Sequence, residues 1–313
     1  MTVLPEAAPV EVAYRAARED RAHRFEMPAV IDVEGPDREA FLQGQLTQDV
    51  RDLAAGRVRP AAALTPRGKL LYIARLLGLG DRFRLVLPGG LRLPALEHLR
   101  KFAAFQKVSV SDRSDALAVV RLYGPGWRDG AADLEAGWVE LPEFGEIAAE
   151  WLVPSDALER VGARLASAGS VEIDAGTAEV LRIEAGRPCF GRDIDGTNLP
   201  DEAGLEAAVS ATKGCYVGQE VVARRRTYGR ANRRLVGFRF PGGCLGAGQS
   251  LRRAAAASGP ERTEAGRVTS VAVSPRFGAI GLGFAFHDVA LGERLFGPGD
   301  SPRAAVVSAL PFA

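Results

Sequence analysis

The chain is poor in the side chains that usually announce chemistry. Of its 313 residues only three are cysteines and three are histidines. Cys189, Cys215 and Cys244 form no CxxC pair, and His23, His98 and His287 are scattered, so neither a disulfide framework nor a closed zinc site is indicated. Net charge is almost lacking: 40 basic and 39 acidic residues leave +1 at pH 7. That balance gives no global field of the kind that marks a general nucleic-acid binder, so nucleic acid is not an expected partner and any anion site must be local. No apolar run approaches the roughly 18 residues of a membrane span. The opening "MTVLPEAAPVEVAYRAARED" carries acidic residues where a secretory leader has a basic segment and an apolar stretch. A cytoplasmic protein with no membrane partner is the expectation, and the lack of a long amphipathic seam points to a monomer. Phosphate-loop signatures are missing as well: there is no GxxxxGK[ST], and no GxGxxG follows a strand.

What is present suffices for a large core. Hydrophobic residues make up 47% of a chain longer than the usual single domain of about 100–200 residues, which predicts two or three structural units. "VIDVEG" followed by "PDREAFLQGQLTQDV" reads as a strand, a turn and a helix with Phe41, Leu42 and Leu46 at helical spacing. From Val58 the sequence alternates β-rich runs with turns, as a meander does, and "LPALEHLRKFAAF" predicts a helix with Leu93, Leu96, Leu99 and Phe102 on one stripe. "KVSVSD" and "LAVVRLYG" are β-like; "SDALERVGARLASAG" and "DAGTAEVLRIEAG" are helix-like, the first with a Ser-Asp cap at its start. The stretch "RPCFGRDIDGTNLPDEAGLEAAVS" is too rich in Gly, Pro and Asp for regular structure and reads as a long loop around a site. After Arg230, short β-like runs such as "RRLVGFRF" and "AIGLGFAF" predict a small antiparallel barrel or sandwich.

The segment "SATKGCYVGQEVVARRRTYGR" holds the strongest chemical candidate. A helix beginning near Tyr216 would put the Cys215 sulfur at its N-terminus, where the helix dipole favours a thiolate, with Lys213 and Arg224 to Arg226 adding positive charge. An ordinary buried thiol is the alternative, and it is the reading given to Cys189 and Cys244. Gln219 and Glu220 can reach back to the helix start or face solvent. Arg224, Arg225 and Arg226, with Arg230, Arg233 and Arg234 close behind, form a local basic cluster, but helical periodicity spreads the first three over different faces. Glu184 ends an apolar-striped helix beside the loop that carries Asp193 and Asp195; a buried carboxylate there can hydrogen-bond a pterin-like amidine edge, or can simply close a helix. Asp49 is ambiguous in the same way.

"KGCYVGQE" followed by "VVAR" resembles the signature of the YgfZ family, folate-binding proteins that support iron–sulfur enzymes and are similar to the T-protein of the glycine cleavage system. "FLQGQLTQDV", "LTPRGKL" and "EAGRPCFGRDIDGTNLPDEAGL" join it in the family's order, so the resemblance covers about Gly35 to Arg225. It implies an α+β, GcvT-like fold: two ferredoxin-like lobes over residues 1–228, and a C-terminal antiparallel β-barrel over 229–313, around a central folate channel. It further implies tetrahydrofolate as cofactor and iron–sulfur client enzymes or assembly factors as partners. The family's cysteine maps onto Cys215, with Lys213 and Tyr216 beside it as chemical neighbours; Gly214, Gly218, Gln219, Glu220 and Arg224 complete the motif on the binding side. The folate-contacting glutamate maps onto Glu184.

One departure separates the chain from the T-protein. Where aminomethyltransferases carry an acidic pair in the meander, "RGKLLYIARLL" puts Tyr72 and Ile73. General acid–base handling of an amine leaving group needs a titratable carboxylate there, so glycine cleavage is disfavoured. The leading expectation is a tetrahydrofolate-dependent accessory protein for iron–sulfur enzymes that uses Cys215. A folate-dependent aminomethyl or one-carbon transferase is the alternative, and a folate-holding interaction module in which Cys215 only packs is the third. A stable cluster held by this chain alone is not expected, because clusters normally take several cysteine ligands.

Overall fold

The computed structural model describes residues 10–128, 138–139, 147–229, 231–253, 264–297 and 303–313, so Arg230 lies outside the described residues. The chain divides into two compact units: Met1–Asp174 with Glu206–Val222, and Ala175–Leu205 with Ala223–Ala313.

The first unit is built on two five-stranded sheets. One has the order β3 (Val58–Leu64), β4 (Leu70–Gly78), β5 (Arg82–Leu87), β2 (Ala29–Glu34), β6 (Ser109–Asp112) and is antiparallel throughout. The other runs β10 (Val171–Glu172), β1 (Ala22–Glu26), β7 (Leu117–Tyr123), β9 (Ile147–Pro154), β8 (Trp138–Val139), with only the β1–β10 pair parallel. Side chains alternate across a strand, and in β4 the period of two is visible: Leu70, Tyr72, Ala74 and Leu76 are buried while Leu71, Ile73 and Arg75 are half-buried. β2 lies between β5 and β6 and is buried on both faces, which forces its Asp32 to be paired; Arg84 on β5 takes both carboxylate oxygens at 2.6 and 2.7 Å. Leu77 and Val86 of the first sheet pack on Val119 of the second, and the buried Glu150 on β9 pairs with both Arg75 and Arg121.

Helix α1 (Val10–Glu19) and α2 (Arg38–Gln45) belong to this unit, as does α3 (Arg92–Ala103). On α3 the predicted stripe is displaced. Leu96 and Leu99 are buried, but Leu93 and Phe102 are exposed, and the packed face is completed by Ala95 and Ala103. Small residues let this helix lie close to its sheet, a preference that apolarity alone does not encode. Helix α4 (Leu158–Ser167) follows a 3-10 turn at Ser155–Ala157 and has no side-chain cap, whereas its end is closed by Gly169 at positive φ.

In the second unit, α5 (Ala175–Glu184) packs on the strand β13 (Gly266–Ser274) of a six-stranded antiparallel sheet. Its order is β12 (Ser250–Leu251), β13, β14 (Gly278–Phe286), β11 (Arg233–Arg239), β16 (Ala304–Ser308), β15 (Arg294–Phe296). Arg252 and Phe296 exchange two 2.8 Å backbone hydrogen bonds across the outer strands, so the sheet is nearly closed into a barrel. Phe238, Leu251, Val268, Leu295 and Val307 fill it. The last helix, α6 (Gln219–Tyr228), contains the division between the units. No helix among the described residues is long and apolar enough to cross a membrane.

Candidate functional site

Three of the four sequence motifs meet in the first unit, around the loop that precedes α6. Lys213 is 5% exposed, and its ammonium donates to the carbonyls of Gln43 (2.8 Å), Leu46 (2.6 Å) and Gln48 (2.9 Å). An ammonium has three protons, and all three are spent on carbonyls at and just beyond the end of α2: Gln43 in its last turn, the C-cap Leu46, and Gln48 in the segment that follows. Burial pulls the Lys213 pKa down to about 8, while the Asp49 carboxylate opposes that shift. Asp49 itself is held well below the ordinary carboxylate range, chiefly by its hydrogen bonds from Arg51. The Lys213 nitrogen lies 5.2 Å from the centre of the buried Tyr216 ring, so the same cation fixes the residue on the far side of Cys215.

Further along, the Val217 amide donates to the Gly44 carbonyl (3.2 Å), and the Ser210 amide to that of Thr47 (3.0 Å). The Thr47 side chain is fully buried and ties strand β3 to this segment through Ala62 and Ala208. Gly218 faces the second motif, "LTPRGKL". Its φ is +85°, and a Cβ there would lie 2.6 Å from the Thr65 carbonyl oxygen and 3.2 Å from Gly68 Cα. Only glycine satisfies both conditions.

Held at both ends, the loop presents Gly214 and Cys215 as exposed residues. The helix does not begin near Tyr216. Gly218 in a left-handed conformation stops it from extending upstream, so α6 starts at Gln219 and Cys215 lies four residues ahead of it. Gln219 is half-buried, and Glu220 and Arg224 are exposed on α6. Arg225 is engaged with Asp201 at 2.9 Å, which separates it from its neighbours in the basic run. The other two thiols sit differently. Cys189 is half-buried, and burial raises its pKa; Cys244 is half-buried against the barrel core.

The fourth motif belongs to the second unit. Asp193 is buried and accepts from Arg182 (2.7 Å), Ser270 (2.6 Å), Thr269 and the Cys189 amide (2.8 Å), an arrangement that folds the long loop onto β13. Asp195 closes a local turn with Thr197. Glu184, the last residue of α5, is 2% exposed, and its Oε1 accepts from the Ser274 hydroxyl at 2.5 Å. Cys215 and Glu184 thus belong to different units. Ser274 lies outside the quoted motifs, and Thr47 and Gln43, although inside "FLQGQLTQDV", are given no role by it: the contacts that matter, with Glu184, Ala208 and Lys213, are made across 90 to 170 residues of chain. Among the described residues, no three His, Cys, Asp or Glu side chains come together as a metal site.

Tyr72 occupies the meander position where aminomethyltransferases are expected to carry an acid. Its ring is fully buried and its hydroxyl lies 2.8 Å from His98 Nδ1. Burial drives the phenol pKa far up and lowers that of His98 to about 4, so the pair is neutral at physiological pH.

These two sheets and barrel are the fold of the glycine cleavage aminomethyltransferases. The chain superposes on the aminomethyltransferase T of Bartonella henselae with a TM-score of 0.87 over 99% of its own length and 91% of the other, at 23% identity. In sequence it is 30% identical to the tRNA-modifying protein YgfZ of Cronobacter sakazakii over 67% of this chain and 68% of the relative. It is also 30% identical to an aminomethyltransferase of Rubrobacter xylanophilus over 88% of this chain and 79% of the relative. No protein-family model matches it. The chain belongs to the YgfZ family.

Proposed function

We propose that the protein is a tetrahydrofolate-binding accessory factor for the assembly or repair of iron–sulfur enzymes, and that Cys215 is its working group. The observation that carries this reading is the construction around the thiol. Lys213, Tyr216 and Gly218 are all fixed by buried contacts, yet the cysteine they flank is exposed. A cysteine serving only as packing would be turned inward. Lys213 acts as a positioning residue, because its protons are spent on backbone carbonyls.

Tetrahydrofolate supplies a carrier for one-carbon units. The residues present suit its pterin ring: Glu184 offers a buried carboxylate, the acceptor pair that an amidine edge with two parallel N–H groups requires. Gln219, Glu220, Arg224 and the glycines Gly214 and Gly218 are assigned to the binding side, and Tyr216 to the support of the thiol. The iron–sulfur cluster is cargo or client in this account. The relatives are named tRNA-modifying proteins, which makes tRNA modification a process in which to look for the effect of losing this protein.

The test is complementation. In cells lacking their own copy, Cys215→Ala should fail to restore iron–sulfur enzyme activity while accumulating as a folded protein. Full restoration would sink the role given to the thiol and favour a folate-holding module. A second reading, a folate-dependent aminomethyl transferase acting on a small amine, is favoured by the likeness to the Rubrobacter xylanophilus protein over 88% of the chain. The buried, neutral Tyr72 argues against it, and turnover of glycine-derived aminomethyl groups would decide.

A further inference from the structure

The Glu184 carboxylate is oriented from outside its own helix. Ser274 ends β13 and is 2% exposed; its hydroxyl donates to Glu184 Oε1 and accepts from the amides of Arg276 (3.0 Å) and Phe277 (2.9 Å). A hydroxyl has one proton, and with the two amides occupying its lone pairs that proton has one direction left, toward the carboxylate. The main chain of Glu184 is fixed too. Its carbonyl accepts the Phe312 amide at 2.8 Å, one residue from the end of the described chain. Phe312 packs against Phe277 (6.0 Å between ring centres), and the Arg239 guanidinium lies over both rings at 5.1 and 5.3 Å while donating to the Ala313 carbonyl. Leu310 fills the space beside Gly186, two residues past the helix end, where a Cβ would approach it to 2.8 Å.

We infer that Ser274 and Phe312 are positioning residues for Glu184: the hairpin turn aims the side chain and the tail fixes the backbone from which it projects. The inference rests on the reading of Glu184 as the pterin contact. It makes the segment around Phe312 a working part of folate binding, although Phe312 lies 128 residues from Glu184 in sequence. Both supports act on one group, so their effects should vanish when that group is gone.

The experiment is a double-mutant cycle read as tetrahydrofolate affinity by calorimetry, with thermal melts in parallel. Glu184→Gln should weaken binding about tenfold or more, the scale of a lost charge-assisted hydrogen bond. Ser274→Ala should weaken it comparably, Ser274→Thr should bind like the wild type, and the Glu184→Gln/Ser274→Ala pair should bind no worse than Glu184→Gln alone. Phe312→Leu, which retains apolar bulk, is the second arm: it should weaken binding several-fold in the wild-type background and not at all beside Glu184→Gln. Additive losses, or wild-type affinity in both Ser274→Ala and Phe312→Leu, would overturn the positioning role. Unchanged affinity in Glu184→Gln itself would instead remove the pterin contact on which it rests.

Discussion

The Lys213 ammonium sits 2.6 Å from the carbonyl of Leu46, capping a helix 167 residues away in the chain, and by that contact it fixes the approach to Cys215. The cation binds three backbone oxygens at once, so replacing it with an apolar side chain leaves the carbonyls of Gln43, Leu46 and Gln48 without their donor. Lys213→Met should destabilise the first unit by about 2–3 kcal/mol. Urea titration of the two proteins at pH 7 checks it, and a difference near zero would mean that water replaces the ammonium without loss.

The same residue gives a pH signature. Burial lowers the folded-state pKa from 10.5 to about 8, so between those values the unfolded chain binds more protons than the folded one. Stability must then rise with pH across that window. The wild type should gain on Lys213→Met from pH 8 to 10; a flat difference would show that the three carbonyl bonds fully offset the cost of burial.

Gly218 joins two motifs by close approach. Alanine there meets the Thr65 carbonyl at 2.6 Å and adopts a positive φ, which costs about 1–2 kcal/mol before any steric adjustment. Gly218→Ala should be folded but less stable, with complementation reduced because the thiol loop shifts. Wild-type stability and function would contradict the role assigned to this contact.

The three thiols should separate by reactivity. Cys215 is exposed, whereas Cys189 is half-buried with a raised pKa and Cys244 is half-buried. Brief alkylation at neutral pH followed by peptide mass analysis should modify Cys215 first. Preferential labelling of either other cysteine would contradict the exposure on which the proposal depends.

Tyr72→Phe removes a buried hydroxyl bonded to His98 and nothing else. A stability loss of about 1 kcal/mol with unimpaired complementation is expected. Loss of function with an intact fold would reopen the aminomethyl-transfer reading.

Much of this architecture was legible because its signals are local. β2, α2, the β3–β5 meander and the longer barrel strands follow period and turn chemistry, and the long Gly- and Asp-rich loop is irregular, as its composition demands. The misplaced features are tertiary. The α3 stripe shifted because small residues face the sheet, and the α6 start moved because Gly218 is fixed by a loop some 150 residues earlier in the chain. The short outer strands β12 and β15 have only two and three residues, too few for periodicity to register. At the site, the motif named Lys213 and Cys215 but not their division of labour, which depends on carbonyls contributed by α2 and the residues after it.

The central claim is that this chain binds a reduced folate through a buried carboxylate. Calorimetric titration of the purified protein with tetrahydrofolate, beside Glu184→Gln, tests it most directly. Saturable binding by the wild type, clearly weakened in a variant with an unchanged melting temperature, is the predicted result. No binding by the wild type, or equal binding by both, would contradict the account.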